Sequence, residues 1–245
     1  MNRLDQSGAG GAFDHILHWR LLPGSHAFPG PDGGTCINEA AMVAAGLPYR
    51  EIRSGADCPP CFSPPLAAYA LGLNDAMPDA ERPRLMAFVL RLAGSAAAPQ
   101  VEAARVAHLA RETLRRVLPP ALEQAGLPVE ALACREAGSL AEAVAAAQRA
   151  AWAAGAAAEA SARVGLWVRG ARAAAAGRAA TFAAVSIDDA RTAADAAEAA
   201  ALFSPAVWAE AVAILDEALG LGDAAPAVPV DLARARMAAA RVGAA

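Results

Sequence analysis

Cys58-Pro-Pro-Cys61 is the sharpest chemical feature of this chain, and Cys36 stands upstream of it in the same glycine- and proline-rich segment. Two cysteines three apart can bring both sulfurs onto one ion at about 2.3 Å, as tetrahedral zinc requires. Cys36 is the natural third ligand. The fourth falls to a histidine: His26, or one of His15 and His18, whose spacing puts both on one helical face. Three of the four histidines lie within 26 residues of the N-terminus, close in sequence to these cysteines. This clustering predicts a soft-metal site for zinc or iron. The paired spacing of a zinc ribbon is absent, since Cys36 stands alone.

The same residues allow other chemistry. Gly33-Gly34-Thr35-Cys36 places a thiol at a helix start, where unpaired N–H groups favour the thiolate and can hold an oxyanion. Cys36 is therefore a candidate catalytic nucleophile, with His15, His18, His26 or His108 as its base. His108 sits among Arg105, Arg111, Glu112 and Arg115 and reads as a solvated surface residue. Cys58 and Cys61 also have the spacing of a redox pair ahead of a helix, but the strands of a supporting sheet are missing. The simplest alternative makes the three cysteines small buried hydrophobes, packed by Trp19, Phe28 and Phe62. Cys134, alone in an apolar stretch, reads as core. Glu39 and Asn38 follow Cys36 and are either supporting polar groups or complements to the helix dipole. Asn74, Asp75 and Asp79 mark a helix end and the next start. Arg163 to Arg178 form either an anion-binding strip or a solvated face.

The elements that must position these groups are helical. Thr35 is the expected N-cap of a helix running to Ala45, with Gly46 as its stop and Pro48 beyond. Pro65 opens the next, where Leu66, Tyr69, Ala70 and Leu73 make one buried face. Asp79 caps a third, carrying Leu85, Phe88, Val89 and Leu92 and stopped by Gly94. After Ser95 to Pro99, the apolar stripe Val106, Leu109, Ala110, Leu114 and Val117 ends at Pro119-Pro120. Residues 139–201 are dominated by alanine, the strongest helix former, so long helices packed through small faces follow. Ser204-Pro205 starts a further helix with Val207, Ala211, Ile214, Leu215 and Ala218 on one side. No stretch alternates with period two over strand length. The fold class is all-α: a disordered tail at 1–12, a loop-rich Cys/His module of short helices at 13–94, and an alanine-rich helical bundle at 98–245.

Composition narrows the function classes. Across 245 residues the net charge is −4, from 25 acids and 21 bases, without a long basic run, so no nucleic-acid partner is expected. All 21 bases are arginine, and with 73 alanines this reads as the coding bias of a GC-rich genome. The longest uncharged stretch, Cys58 to Asn74, is broken by four prolines and a glycine, so no membrane partner is expected either. The N-terminus lacks the apolar core of a signal peptide. The expected compartment is the cytoplasm, where clustered cysteines more often mean metal or redox chemistry than stable disulfides.

The segments Gly33-Gly-Thr-Cys-Ile-Asn-Glu-Ala-Ala41, Asp57-Cys-Pro-Pro-Cys-Phe-Ser63 and Leu73-Asn-Asp-Ala-Met-Pro-Asp79 resemble a group of hypothetical proteins of GC-rich soil bacteria. The likeness runs over residues 18–94 and carries no activity with it. It implies that the cysteine module is the defining part and the helical domain its variable companion. The function expected from the residues is a cytoplasmic helical protein. Its N-terminal module binds zinc or iron, and its helical domain serves an unknown protein partner or self-association. A Cys36-dependent enzyme and a metal-free, partner-binding protein are the alternatives.

Overall fold

The computed structural model describes residues 20–26, 34–184, 190–202, 204–222 and 225–242. His15, His18, Trp19 and Phe28 lie outside them. The chain is mainly all-α, as expected, and it divides into two units, Met1–Ala96 with Ala224–Ala245, and Ala97–Asp223.

In the first unit, strand β1 (Arg20–Leu21) pairs in parallel with β2 (Gly34–Thr35), Arg20 opposite Gly34 and Leu21 opposite Thr35. Two residues per strand are too few to leave a period-two signature. Helix α1 (Ile37–Ala44) follows and is buried on every side. Its stop is Gly46, at φ +82°, where a Cβ would also stand 2.9 Å from the Arg236 guanidinium. Helix α2 (Pro64–Ala76) opens with two prolines, whose missing N–H groups are spared at a helix start. The sequence gives it one apolar face, yet Pro65 through Asn74 are all buried. The uncharged run belongs to a core helix, apolar all round.

Three expectations for this unit change. The third helix is a 3-10 segment, Arg82–Leu90, and Leu85, Phe88, Val89 and Leu92 are buried as the spacing requires. Over nine residues, apolar steps of three and four do not separate a 3-10 from an α-helix. Asp79 does not cap it; it pairs with Arg82, whose guanidinium also donates to the carbonyls of Asn74 and Met77 at the end of α2. The C-terminal helix, α10 (Val230–Val242), groups with this unit and not with a bundle at 98–245. Ala233 and Met237, one turn apart, are buried, and Arg236 donates to the Ala44 carbonyl at the end of α1 at 2.9 Å.

The second unit begins with α3 (Pro99–Glu112). Its apolar stripe is buried as expected, but the helix does not stop at Pro119-Pro120. It passes through a π-helical turn, Thr113–Val117, into α4 (Leu118–Gln124). Two adjacent prolines remove two donors from the ordinary ladder, and a wider turn lets the helical path continue. Then come α5 (Pro128–Glu136), α6 (Leu140–Glu159), α7 (Val164–Phe182), α8 (Ala190–Ala201) and α9 (Val207–Leu219). Trp208 packs inside α9 with the predicted Val207, Ala211, Ile214, Leu215 and Ala218.

Helices α6 and α7 approach through alanine and glycine. A Cβ on Gly170 would lie 2.8 Å from the Ala154 carbonyl oxygen, and one on Gly177 would lie 3.0 Å from the Ala151 Cβ. Gly155, also helical, faces open space. Gly170→Ala is therefore expected to lower stability by roughly 1–3 kcal/mol through overpacking. Gly155→Ala should raise it by about 0.5–1 kcal/mol through helix propensity. Paired thermal melts read both signs.

Candidate functional site

Cys36 is the N-cap of α1, one residue beyond the expected Thr35. Its Sγ accepts the Glu39 N–H at 3.5 Å, and the Glu39 carboxylate returns to the Cys36 N–H at 3.0 Å, a reciprocal box that satisfies two orphan donors. The side chain is fully buried. Burial, and next the charge on Glu39, push the thiol far above its ordinary range; N–H groups of Glu39 and Asn38 pull the other way and lose. A helix start was expected to favour the thiolate. Desolvation reverses that, and the nucleophile reading loses its ionised sulfur.

Glu39 is the more consequential residue. Its Oε1 accepts from Ser25 Oγ at 2.6 Å and from the Ile52 N–H at 3.1 Å. Its Oε2 accepts from Thr35 Oγ1 at 3.2 Å and from the Cys36 N–H. A carboxylate has about four acceptor sites, so all are occupied. Tyr49 stands against the same group; its phenol is raised above the usual range by burial first and by the Glu39 charge second. Glu39 thus has no lone pair left for a metal ion or a substrate proton. It joins the Ser25 loop, β2, the start of α1 and the 49–52 segment. Asn38 adds a further tie, donating to the Ala67 carbonyl of α2 at 3.0 Å.

The other predicted ligands form no cluster with Cys36 among the described residues. Cys58 and Cys61 are free thiols, part-exposed, on the loop before α2. The ring of His26 is bonded to the Pro23 carbonyl at 3.1 Å. His15 and His18 lie outside the described residues. Among the described residues, no three His, Cys, Asp or Glu side chains gather at metal-binding range. His108 is not a solvated residue: its side chain is 15% exposed and its Nε2 lies 3.2 Å from Glu217, which also pairs with Arg116. Cys134 is buried.

Sequence reading passed over Ser25, Tyr49 and Ile52, whose roles depend on distant chain closing around Glu39. One local signal existed. A capping residue followed three positions later by Glu is the capping-box pattern, here with cysteine in place of serine or threonine. A small cavity lined by Arg20, Leu21, Asp79, Arg82 and Pro83 completes the unit's polar features; Arg82 spends its donors there on the end of α2. Comparison with protein-family models, curated proteins and solved structures finds no match for the chain.

Two outcomes follow. Cys36→Ser should keep the cap and the fold, whereas Cys36→Ala should cost about 1 kcal/mol, and Cys36 in the folded wild type should resist alkylation at neutral pH. Burial also pushes Cys58 up to about 12 and Cys134 up to about 11, from an ordinary 9.0. A folded-state pKa above the unfolded value means that this stabilisation is complete below pH 9 and is lost as pH rises toward 12. Urea midpoints should fall between pH 9 and 11, and fall less in Cys134→Ala.

Proposed function

We propose that this chain is a metal-independent interaction protein that self-associates through the α6–α7 hairpin of its second unit. The observation that carries this reading is the position of its large apolar side chains. Trp152 on α6 is 82% exposed, and on α7 Val164, Trp167 and Phe182 are 77%, 51% and 60% exposed. Val164 and Trp167 are one turn apart and present one apolar face, and Leu166 beside them is also exposed. Tryptophan is the residue that most often dominates a protein–protein contact. Charge supports a second copy as the occupant. Helix α7 carries Arg169, Arg172 and Arg178 and no acid, while Glu136, Glu159 and Glu198 lie exposed on the same unit.

The first unit serves on this reading as the folded companion, with Cys36 as a structural cap. A soft-metal site is the second reading, narrowed to Cys58 and Cys61, because these are the two free and part-exposed thiols of the predicted set. It needs His15 or His18 to complete it. About one equivalent of zinc or iron in tag-free protein, lost in Cys58→Ser, would support it. No helix among the described residues is long and apolar enough to cross a membrane.

Sedimentation across a concentration series tests the main reading. The wild type should associate reversibly, and Trp152→Ala with Trp167→Ala should shift the protein to monomer, with a melting temperature equal to that of the wild type diluted to monomer. Loss of one such anchor weakens association by roughly 30-fold. A wild type that stays monomeric at every concentration contradicts the proposal.

A further inference from the structure

Cys58 and Cys61 sit in a loop held at both ends. The Cys58 N–H donates to the Gly55 carbonyl at 3.2 Å, closing a short 3-10 turn (Gly55–Asp57). The Asp57 carboxylate secures that turn by accepting the N–H groups of Arg53 and Ser54. The Phe62 N–H then donates to the Pro59 carbonyl at 2.9 Å, so the chain reverses across Pro60-Cys61. The far side is anchored more firmly. The Cys61 carbonyl accepts both the Gly94 N–H at 2.9 Å and the Ala96 N–H at 3.0 Å. Phe62 pairs with Ala93, and the Ser63 N–H donates to Ser95 Oγ at 3.0 Å. Phe62 and Ser63 are buried. The two prolines fix their own φ angles and leave the four-residue ring little freedom to lose. Both thiols are free, both reach solvent in part, and they stand three residues apart on this anchored loop.

We infer that Cys58 and Cys61 form a reversible intramolecular disulfide by exchange with small-molecule disulfides, a modification site set against the 93–96 segment. This stands independently of self-association. The exchange takes two steps. The Cys61 thiolate attacks one sulfur of the reagent RSSR, forming a mixed disulfide and releasing RS⁻, which takes up the proton given by Cys61. The Cys58 sulfur, as it loses its proton, then attacks the Cys61 sulfur and releases the second RS⁻, which takes that proton. The chain loses two hydrogens and two electrons, and RSSR becomes two RSH. Cys61 attacks first because burial holds Cys58 protonated, its thiol pushed up to about 12. A thiolate that the fold does not stabilise also makes the disulfide hard to reduce. Cys36 and Cys134 take no part, since both are buried.

The test uses the full chain in chelator, equilibrated in mixtures of reduced and oxidised glutathione, quenched in acid and mapped by mass spectrometry. The same equilibrium is measured in urea. In the folded wild type, the peptide carrying Cys58 and Cys61 should lose two hydrogens, with an equilibrium constant at least about tenfold above that in urea, since a held pair raises the effective concentration of one thiol for the other. Cys58→Ser should trap glutathione on Cys61. Cys61→Ser should leave Cys58 largely unmodified. A folded wild type that stays reduced in excess oxidised glutathione overturns the proposal. So does one that collects the mixed disulfide, or one whose constant does not exceed that in urea.

Discussion

One buried carboxylate organises the first unit. Glu39 is fully buried, and its carboxyl group is tolerable there because four donors converge on its two oxygens. Those donors come from stretches that share no regular element: Ser25, Thr35, Cys36 and Ile52. Each must be in place for the charge to be satisfied, so the β1–β2 pairing, the start of α1 and the 49–52 segment are specified together. The same charge adds to the effect of burial beside it. It lies against Cys36 and Tyr49 and, after burial, is the second cause that raises both. A helix start that might have activated a thiol is turned into a closed structural cap.

The second unit is built differently. Its long helices meet through alanine and glycine, which bury little apolar area per residue, so cohesion depends on close approach over a long seam. Gly170 and Gly177 set that approach. A seam this tight leaves no pocket for a large ring, which is a physical reason why Trp152, Trp167 and Phe182 stand outside it. Away from that seam, Arg105 is fully buried; it pairs with Glu102 and donates to the Leu221 carbonyl at 2.9 Å.

Much of the fold is legible in the sequence because its signals are local. Gly46 and Gly94 stop their segments at positive φ, Pro64 and Pro65 open α2, and the stripes of α3 and α9 are buried as their spacing requires. What fails depends on distant partners or on competition between local rules. The membership of α10 turns on Arg236 reaching Ala44, and its composition matches that of the bundle. The helix through Pro119-Pro120 survives by widening one turn. At the candidate site, residue types point to a segment but not to the balance of forces within it. Dipole and N–H groups favour a Cys36 thiolate, and only burial, which spacing cannot show, reverses the outcome. The surroundings of His108 are hidden in the same way, since Glu217 lies 109 residues away.

Amide exchange in Glu39→Gln tests the organising role of this carboxylate most directly. Glutamine keeps the shape but turns an N–H₂ group toward two of the four donors. Each bond to the charged group contributes about 1.5–3 kcal/mol. Peptides spanning 35–39 and 50–53 should therefore lose roughly 100-fold or more in protection, while those of α6 and α7 keep theirs. Unchanged protection at Cys36 and Ile52 would show that the first unit holds together without the buried charge, and would contradict the account.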